Sequence, residues 1–189
     1  MVKSKFIDIS KYIHGYFVTG LHDLLTAHKE EIDAQFHEEK GKVGYNVPLR
    51  RDKLWLNLRD IHESVFSNFY LFQEKFCPMD SDFSVYKQTN EKWSKPDLLP
   101  PHKVWHNHIQ DSTITSVCYL NPPKDGGELS LFMCGAKEKI KPGKDIIYTF
   151  PSWILHKPEA QKDKTPRYSI NWGKYSFHKV VHKVTGDLW

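Results

Sequence analysis

The chain is poor in cysteine, in clustered arginine and in long apolar runs, and each shortage excludes a class of protein. Three cysteines in 189 residues (Cys77, Cys118 and Cys134) are odd in number and show no Cys-x-x-Cys spacing. That argues against a disulfide framework or a zinc knuckle and for a reducing compartment. No uncharged apolar run approaches the roughly 18 residues that a membrane helix needs. The first residues carry Lys3, Lys5, Asp8 and Lys11 and have no small-residue cleavage pattern, so they do not read as a secretory signal. A cytoplasmic protein with no membrane partner is expected. Internal repeats and low-complexity tracts are also missing. What is there is an ordinary globular composition, 39% hydrophobic and 26% charged, which fits one domain with a real core.

Charge is unevenly spread. Residues 1–134 carry 16 basic and 18 acidic side chains, whereas residues 135–189 carry 11 and 5. The basic C-terminal third has the sign to meet an anionic partner, but its lysines are scattered, which is the pattern of a solvated surface.

The apolar period changes along the chain. Leu21, Leu24, Leu25, His28, Ile32 and Phe36 recur at helical spacing, with Thr19 as a cap and Gly41 as a stop. Leu54, Leu58, Ile61, Val65, Phe69, Phe72 and Phe76 repeat that spacing until Pro78. Beyond residue 80, short β-branched and aromatic runs are cut by Pro, Gly and Asp. They predict strands near 83–87, 103–109, 113–120, 128–133, 137–141, 145–150, 153–157 and 167–172, with a further one near 177–184. The expectation is an α+β, mainly β chain forming a single domain over 1–189. Its parts would be a helical segment 1–80, a jelly-roll core 81–175 and a C-terminal strand or tail 176–189. The helices would pack on one sheet. The long stretch Thr89–His102 is too long for a hairpin and reads as a lid or substrate loop.

The chemistry concentrates in a few residues. In a strand over 103–109, Val104, His106 and His108 share one face, and Lys103, Trp105 and Asn107 the other. Two imidazoles so placed can grip one metal ion. His156, closing Phe150-Pro151-Ser152-Trp153-Ile154-Leu155, is the best third donor. Arg167, Ser169 and Asn171 share a face of the last core strand. An inward arginine is costly to bury unless an anion meets it, and its fork suits a carboxylate. Each feature alone has a plain structural explanation; their order and spacing together point to a site.

That order resembles the iron(II)- and 2-oxoglutarate-dependent dioxygenases, in particular the short prolyl-4-hydroxylase-like members of bacteria and phages. The segments that carry the resemblance are HKVWHNH at 102–108, TSVCYLNPPKDGGELSLF at 115–132, IKPGKDIIYTFPSWILH at 140–156 and RYSINW at 167–172. It covers about residues 83–173 and implies a double-stranded β-helix, a cupin-like jelly roll. It also implies Fe(II) held by His106 and His156. 2-Oxoglutarate would be held at its distal carboxylate by Arg167, with Tyr119, Ser169 and Tyr86 beside it, and O2 would be the oxidant. The implied reaction hydroxylates an aliphatic C–H, in a prolyl or other peptide residue or a small molecule, and releases succinate and CO2. Val104, Val117, Leu131 and Trp172 would be barrel filling.

The pattern departs from the family at position 108, where such enzymes have Asp or Glu. Three readings are open. His108 itself is a ligand, Asp111 supplies a carboxylate, or position 108 is unliganded; strand geometry favours His108. A three-histidine cupin-type iron dioxygenase that does not use 2-oxoglutarate also fits the histidines but leaves Arg167 idle. A non-catalytic jelly-roll binding module is the other rival. A nucleic-acid substrate is disfavoured because no second arginine follows Arg167, and halogenation because His108 is not small.

Overall fold

The computed structural model describes residues 9–38, 46–48, 52–67, 83–88, 104–110, 112, 114–162 and 167–174. A 3-10 turn, Ile9–Tyr12, leads into β1 (His14–Phe17) and the helices α1 (Leu21–Ala27) and α2 (Lys29–Glu38). Next come β2 (Asn46–Pro48), α3 (Lys53–Ser67) and β3 (Ser84–Gln88). The core strands are β4 (Ile114–Tyr119), β5 (Leu129–Met133), β6 (Ala136–Ile140), β7 (Ile146–Pro151), β8 (Leu155–Pro158) and β9 (Arg167–Lys174). They form a six-stranded sheet, β1-β7-β4-β9-β3-β2, and a three-stranded sheet, β6-β5-β8, with every pairing antiparallel.

Strand alternation divides the core into two layers. Cys118 and Leu120, Ile147, and Tyr168, Ile170 and Trp172 face one way and pack with Leu21, Leu25, Ile32, Leu54, Trp55 and Leu58 of the helices. Val117 and Tyr119, Tyr148 and Phe150 face the other way and meet Leu129, Leu131 and Met133 of the small sheet. β4 is therefore buried along its whole length, covered by helices on one face and by the second sheet on the other. Tyr168 also donates its hydroxyl to Asp33, which ties α2 to β9. Burial, with Asp33 beside it, pushes the Tyr168 phenol well above its ordinary range, so it stays a donor.

Several expectations need correction. Residues 104–109 form no strand; the only pairing there is a single bridge between His106 and His156. The expected helix over residues 21–36 is two helices meeting at His28, whose ring contacts Glu31 at the start of α2. Gly20, with φ 80°, precedes α1 in place of Thr19. Trp172 packs against the helices and not inside the barrel. Val104 is half-buried and belongs to neither core layer. β1 and β2 were not foreseen. The helix continuation through Phe69, Phe72 and Phe76 to Pro78, the stop at Gly41, the Thr89–His102 stretch, Asp111 and the strand near 177–184 lie outside the described residues. None of the described helices is long and apolar enough to cross a membrane.

Candidate metal centre

Two chain segments bring three imidazoles together. His156 lies on β8 opposite Leu131 of β5, which directs it into the space between the sheets. The 104–108 segment runs along the free edge of β8. His106 and His156 exchange both backbone hydrogen bonds, at 3.0 and 2.8 Å. Side-chain nitrogens of His106, His108 and His156 all fall within 4.8 Å of one another. The ring centroids are 4.4 Å apart for 106–156, 5.0 Å for 108–156 and 5.2 Å for 106–108. Trp105 points the opposite way, onto Phe132 and beneath the ammonium groups of Lys137 and Lys157.

The ring orientations suit metal binding. His106 Nδ1–H donates to the Val104 carbonyl at 3.3 Å, and His156 Nδ1–H to the Ile154 carbonyl at 3.0 Å. The same local contact, to the carbonyl two residues back, leaves Nε2 of each ring with its lone pair outward. His156 is pushed down to about 3 by burial, and by neighbouring His106 and His108, against the opposing pull of its bond to Ile154. It is therefore a neutral imidazole, the form a metal needs. Three neutral nitrogen donors fit a first-row divalent ion such as iron, cobalt or zinc, and suit magnesium or calcium poorly.

Arg167 opens β9 and is 2% exposed. Its guanidinium lies 5.6 Å from the Tyr119 ring centroid, and Nη1–H donates to the Gly127 carbonyl. Gly127 has φ +69°, and a Cβ there would come within 2.9 Å of Arg167 Nη1 and 2.4 Å of Pro123 Cγ. Only glycine permits this approach. Tyr119 is driven up to about 12 by burial, with Arg167 partly offsetting it, so the phenol remains a hydrogen-bond donor. Ser169 sits between Tyr119 on β4 and Tyr86 on β3 in the sheet register. The Tyr86 side chain lies outside the described set. Tyr119 and Phe150 share one core layer, and Phe150 stacks edge-on against His156 at 5.0 Å. The guanidinium and the imidazoles thus border the same inter-sheet space. Sequence reasoning missed Gly127 and the Val104 and Ile154 carbonyls, because a backbone acceptor leaves no mark in residue type.

No protein-family sequence model matches the chain, and no curated protein sequence matches it either. Solved structures do resemble it. A prolyl 4-hydroxylase from Phytophthora capsici superposes with a TM-score of 0.63 at 18% identity, over 88% of this chain and 59% of that one. The chain therefore spans less than two thirds of that enzyme's length. A prolyl hydroxylase from Trichoplax adhaerens, in complex with a hypoxia inducible factor oxygen degradation domain peptide fragment, matches at TM-score 0.62 and 15% identity, over 92% and 88% of the two chains. The viral collagen prolyl hydroxylase of Paramecium bursaria Chlorella virus-1, in its 2OG complex, matches at 0.52 and 14%, over 87% and 96%. The fold is thus the double-stranded β-helix of the prolyl hydroxylase structures.

Proposed function

We propose that the protein is an Fe(II)- and 2-oxoglutarate-dependent oxygenase that hydroxylates an aliphatic carbon. The observation that carries this reading is the convergence of three imidazoles on the inter-sheet space that also receives the buried Arg167 guanidinium. His106, His108 and His156 are the metal ligands in this reading, and Arg167 takes the distal carboxylate of the keto acid. Tyr119 and Ser169 stand beside that carboxylate as hydroxyl donors. Bound iron and 2-oxoglutarate would supply oxygen activation, with one oxygen atom entering the substrate C–H and the other the succinate formed as CO2 leaves. The residues of this chain bind and orient. Val104 and Ile154 fix two imidazoles through their carbonyls, Gly127 holds the guanidinium, and Phe150, Leu131 and Val117 keep water from the space. No side-chain acid–base pair is required.

The first substrate to test is a prolyl residue in a peptide, since the three structural relatives named above are prolyl hydroxylases and one holds a peptide. Anaerobic addition of Fe(II) and 2-oxoglutarate should give the weak visible charge-transfer band of a chelated keto acid, and O2 should then release succinate. His106→Ala should abolish both. No band at saturating iron would overturn the reading. A second reading, a three-histidine iron dioxygenase without 2-oxoglutarate, draws on His108 standing where a carboxylate is expected. Oxygen consumption independent of 2-oxoglutarate would favour it.

A further inference from the structure

His106 and His156 are tied to each other through their main chains, but His108 is held by a different device. Its amide N–H donates to the Ser152 carbonyl at 2.9 Å, and its own carbonyl accepts the Ser112 N–H at 2.8 Å. Ser152 lies in the turn between β7 and β8. Its hydroxyl shares hydrogen bonds with Ser112 Oγ at 2.7 Å and Thr115 Oγ1 at 2.8 Å. The bonds close a ring that runs from His108 to Ser152 through the backbone, from Ser152 to Ser112 through the hydroxyls, and from Ser112 back to His108. All three hydroxyl residues are buried. The packing around Ser112 is tight. A Cβ on Gly173 of β9 would lie 2.4 Å from Ser112 Cβ and 2.5 Å from its Oγ. Ser112 therefore cannot move toward β9 to make up for a lost bond.

We infer that Ser152 is a positioning residue for the third imidazole, acting through Ser112 and Thr115, so that this hydroxyl cluster sets the donor geometry of His108. The inference rests on the three-imidazole reading of the metal centre. Ser152 lies 40 residues from Ser112 and 37 from Thr115 in sequence, yet its hydroxyl bonds both. Its turn leads directly into β8, which carries His156. The cluster thus fixes the His108 end of one ligand segment to the strand that holds the remaining ligand. A buried hydroxyl removed from such a network leaves its neighbours unsatisfied, and they reorganise.

The test is Co(II) binding by the full chain, followed by visible absorption, in a double-mutant cycle. Ser152→Ala should raise the Co(II) dissociation constant on the order of tenfold, as loss of a group that orients a ligand does. His108→Ala should raise it further. Ser152→Ala added to His108→Ala should change it less than twofold, because the residue being positioned is gone. Wild-type affinity in Ser152→Ala, or the same tenfold loss in the His108→Ala background, would overturn the inference, the latter by showing a merely structural role. If Ser152→Ala does not fold by circular dichroism, Ser112→Ala takes its place under the same two criteria. If His108→Ala binds Co(II) like the wild type, the three-imidazole reading itself fails, and the inference with it. That outcome is distinct from wild-type affinity in Ser152→Ala alone.

Discussion

Replacing Arg167 by methionine separates the two halves of the proposed site. Methionine keeps most of the volume and can lie on the Tyr119 ring, but it cannot donate to Gly127 or to a carboxylate. The lost charged, forked contact is worth about 1.5–3 kcal/mol. At about 1.4 kcal/mol per decade, 2-oxoglutarate should weaken roughly 10- to 100-fold. The metal ligands do not involve Arg167, so metal affinity should stay within about threefold. Thermal shift gives a direct assay. With Mn(II) present and 2-oxoglutarate at about 100 times its wild-type dissociation constant, ligand binding stabilises the wild type by about 2.7 kcal/mol. A hundredfold weaker variant at the same concentration gains only about 0.4 kcal/mol. For a chain of this size about 2–4 °C corresponds to each kcal/mol. A ligand-induced shift of roughly 5–10 °C should therefore fall to about 1–2 °C for a hundredfold weakening and to about 3–6 °C for a tenfold one. An undiminished shift, or equal weakening of metal and keto acid, would refute the role assigned to the guanidinium.

Two further outcomes follow from the same geometry. Gly127→Ala should lower stability by about 1–3 kcal/mol through left-handed strain, and weaken 2-oxoglutarate as well, because the new methyl meets Arg167 Nη1 and Pro123. Gly135→Ala is the control. Its φ is +85° with open space around it, so it should lose stability without affecting the keto acid. Equal effects on 2-oxoglutarate would count against the contact. Glu159 is partly buried, which favours its neutral form, but the Ser130 hydroxyl and Lys157 outweigh this and hold its carboxyl below the usual value of 4.5. A depressed carboxylate stabilises the fold above its unfolded value and loses that contribution as pH falls through its folded value. The melting-temperature gap between wild type and Glu159→Gln should therefore be full above pH 4.5 and shrink below it; a gap that widens on acidification would contradict the pairing.

Much of this architecture was legible because alternation and punctuation agree. From β4 to β9, apolar residues two apart are bounded by Pro122, Pro123, Gly126, Gly127, Pro142 and Gly143, and the strands fall between them. β1 escaped notice because His14-Gly15-Tyr16-Phe17 has little apolar alternation. It is held by pairing with β7, from His14 opposite Thr149 to Phe17 opposite Ile146. β2 is only three residues long and ends in Pro48. The parity argument placed His106 and His108 together, and they are together, although the strand it assumed is one bridge. β8 is four residues long and pairs with β5, and among the described residues its other edge bridges only to His106. The His108 amide then turns away to Ser152. Trp172 was misplaced against that same parity. With Arg167, Ser169 and Asn171 on one face, Trp172 belongs with Tyr168 and Ile170 on the helix side. The hydroxyl cluster left no trace, since serine and threonine in turns and strands usually face water.

The three imidazoles are not equivalent in how they are held, and this bears on the substitution at position 108. His106 and His156 are set by main-chain bonds, a mutual bridge and one carbonyl each, which side-chain changes elsewhere barely reach. His108 is held by main-chain bonds to Ser152 and Ser112, two residues whose hydroxyls are joined to each other and, through Ser152, to Thr115, and in the proposed reading it is the adjustable member. It is also the position where a carboxylate would have reduced the charge of a bound divalent ion by one unit. With three neutral donors that charge stays whole, and Arg167 adds a second cation at the border of the same space. In the proposed reading the neutralising charge comes from the guest, a dianionic keto acid reaching from the imidazoles to the guanidinium. Metal and diacid then each raise the affinity for the other by the same factor, because coupling between two ligands is reciprocal. A neutral site of this kind holds its metal less firmly when empty of diacid than a carboxylate site would. In the proposed reading, a metal affinity that depends on the keto acid is the electrostatic consequence expected of histidine at position 108.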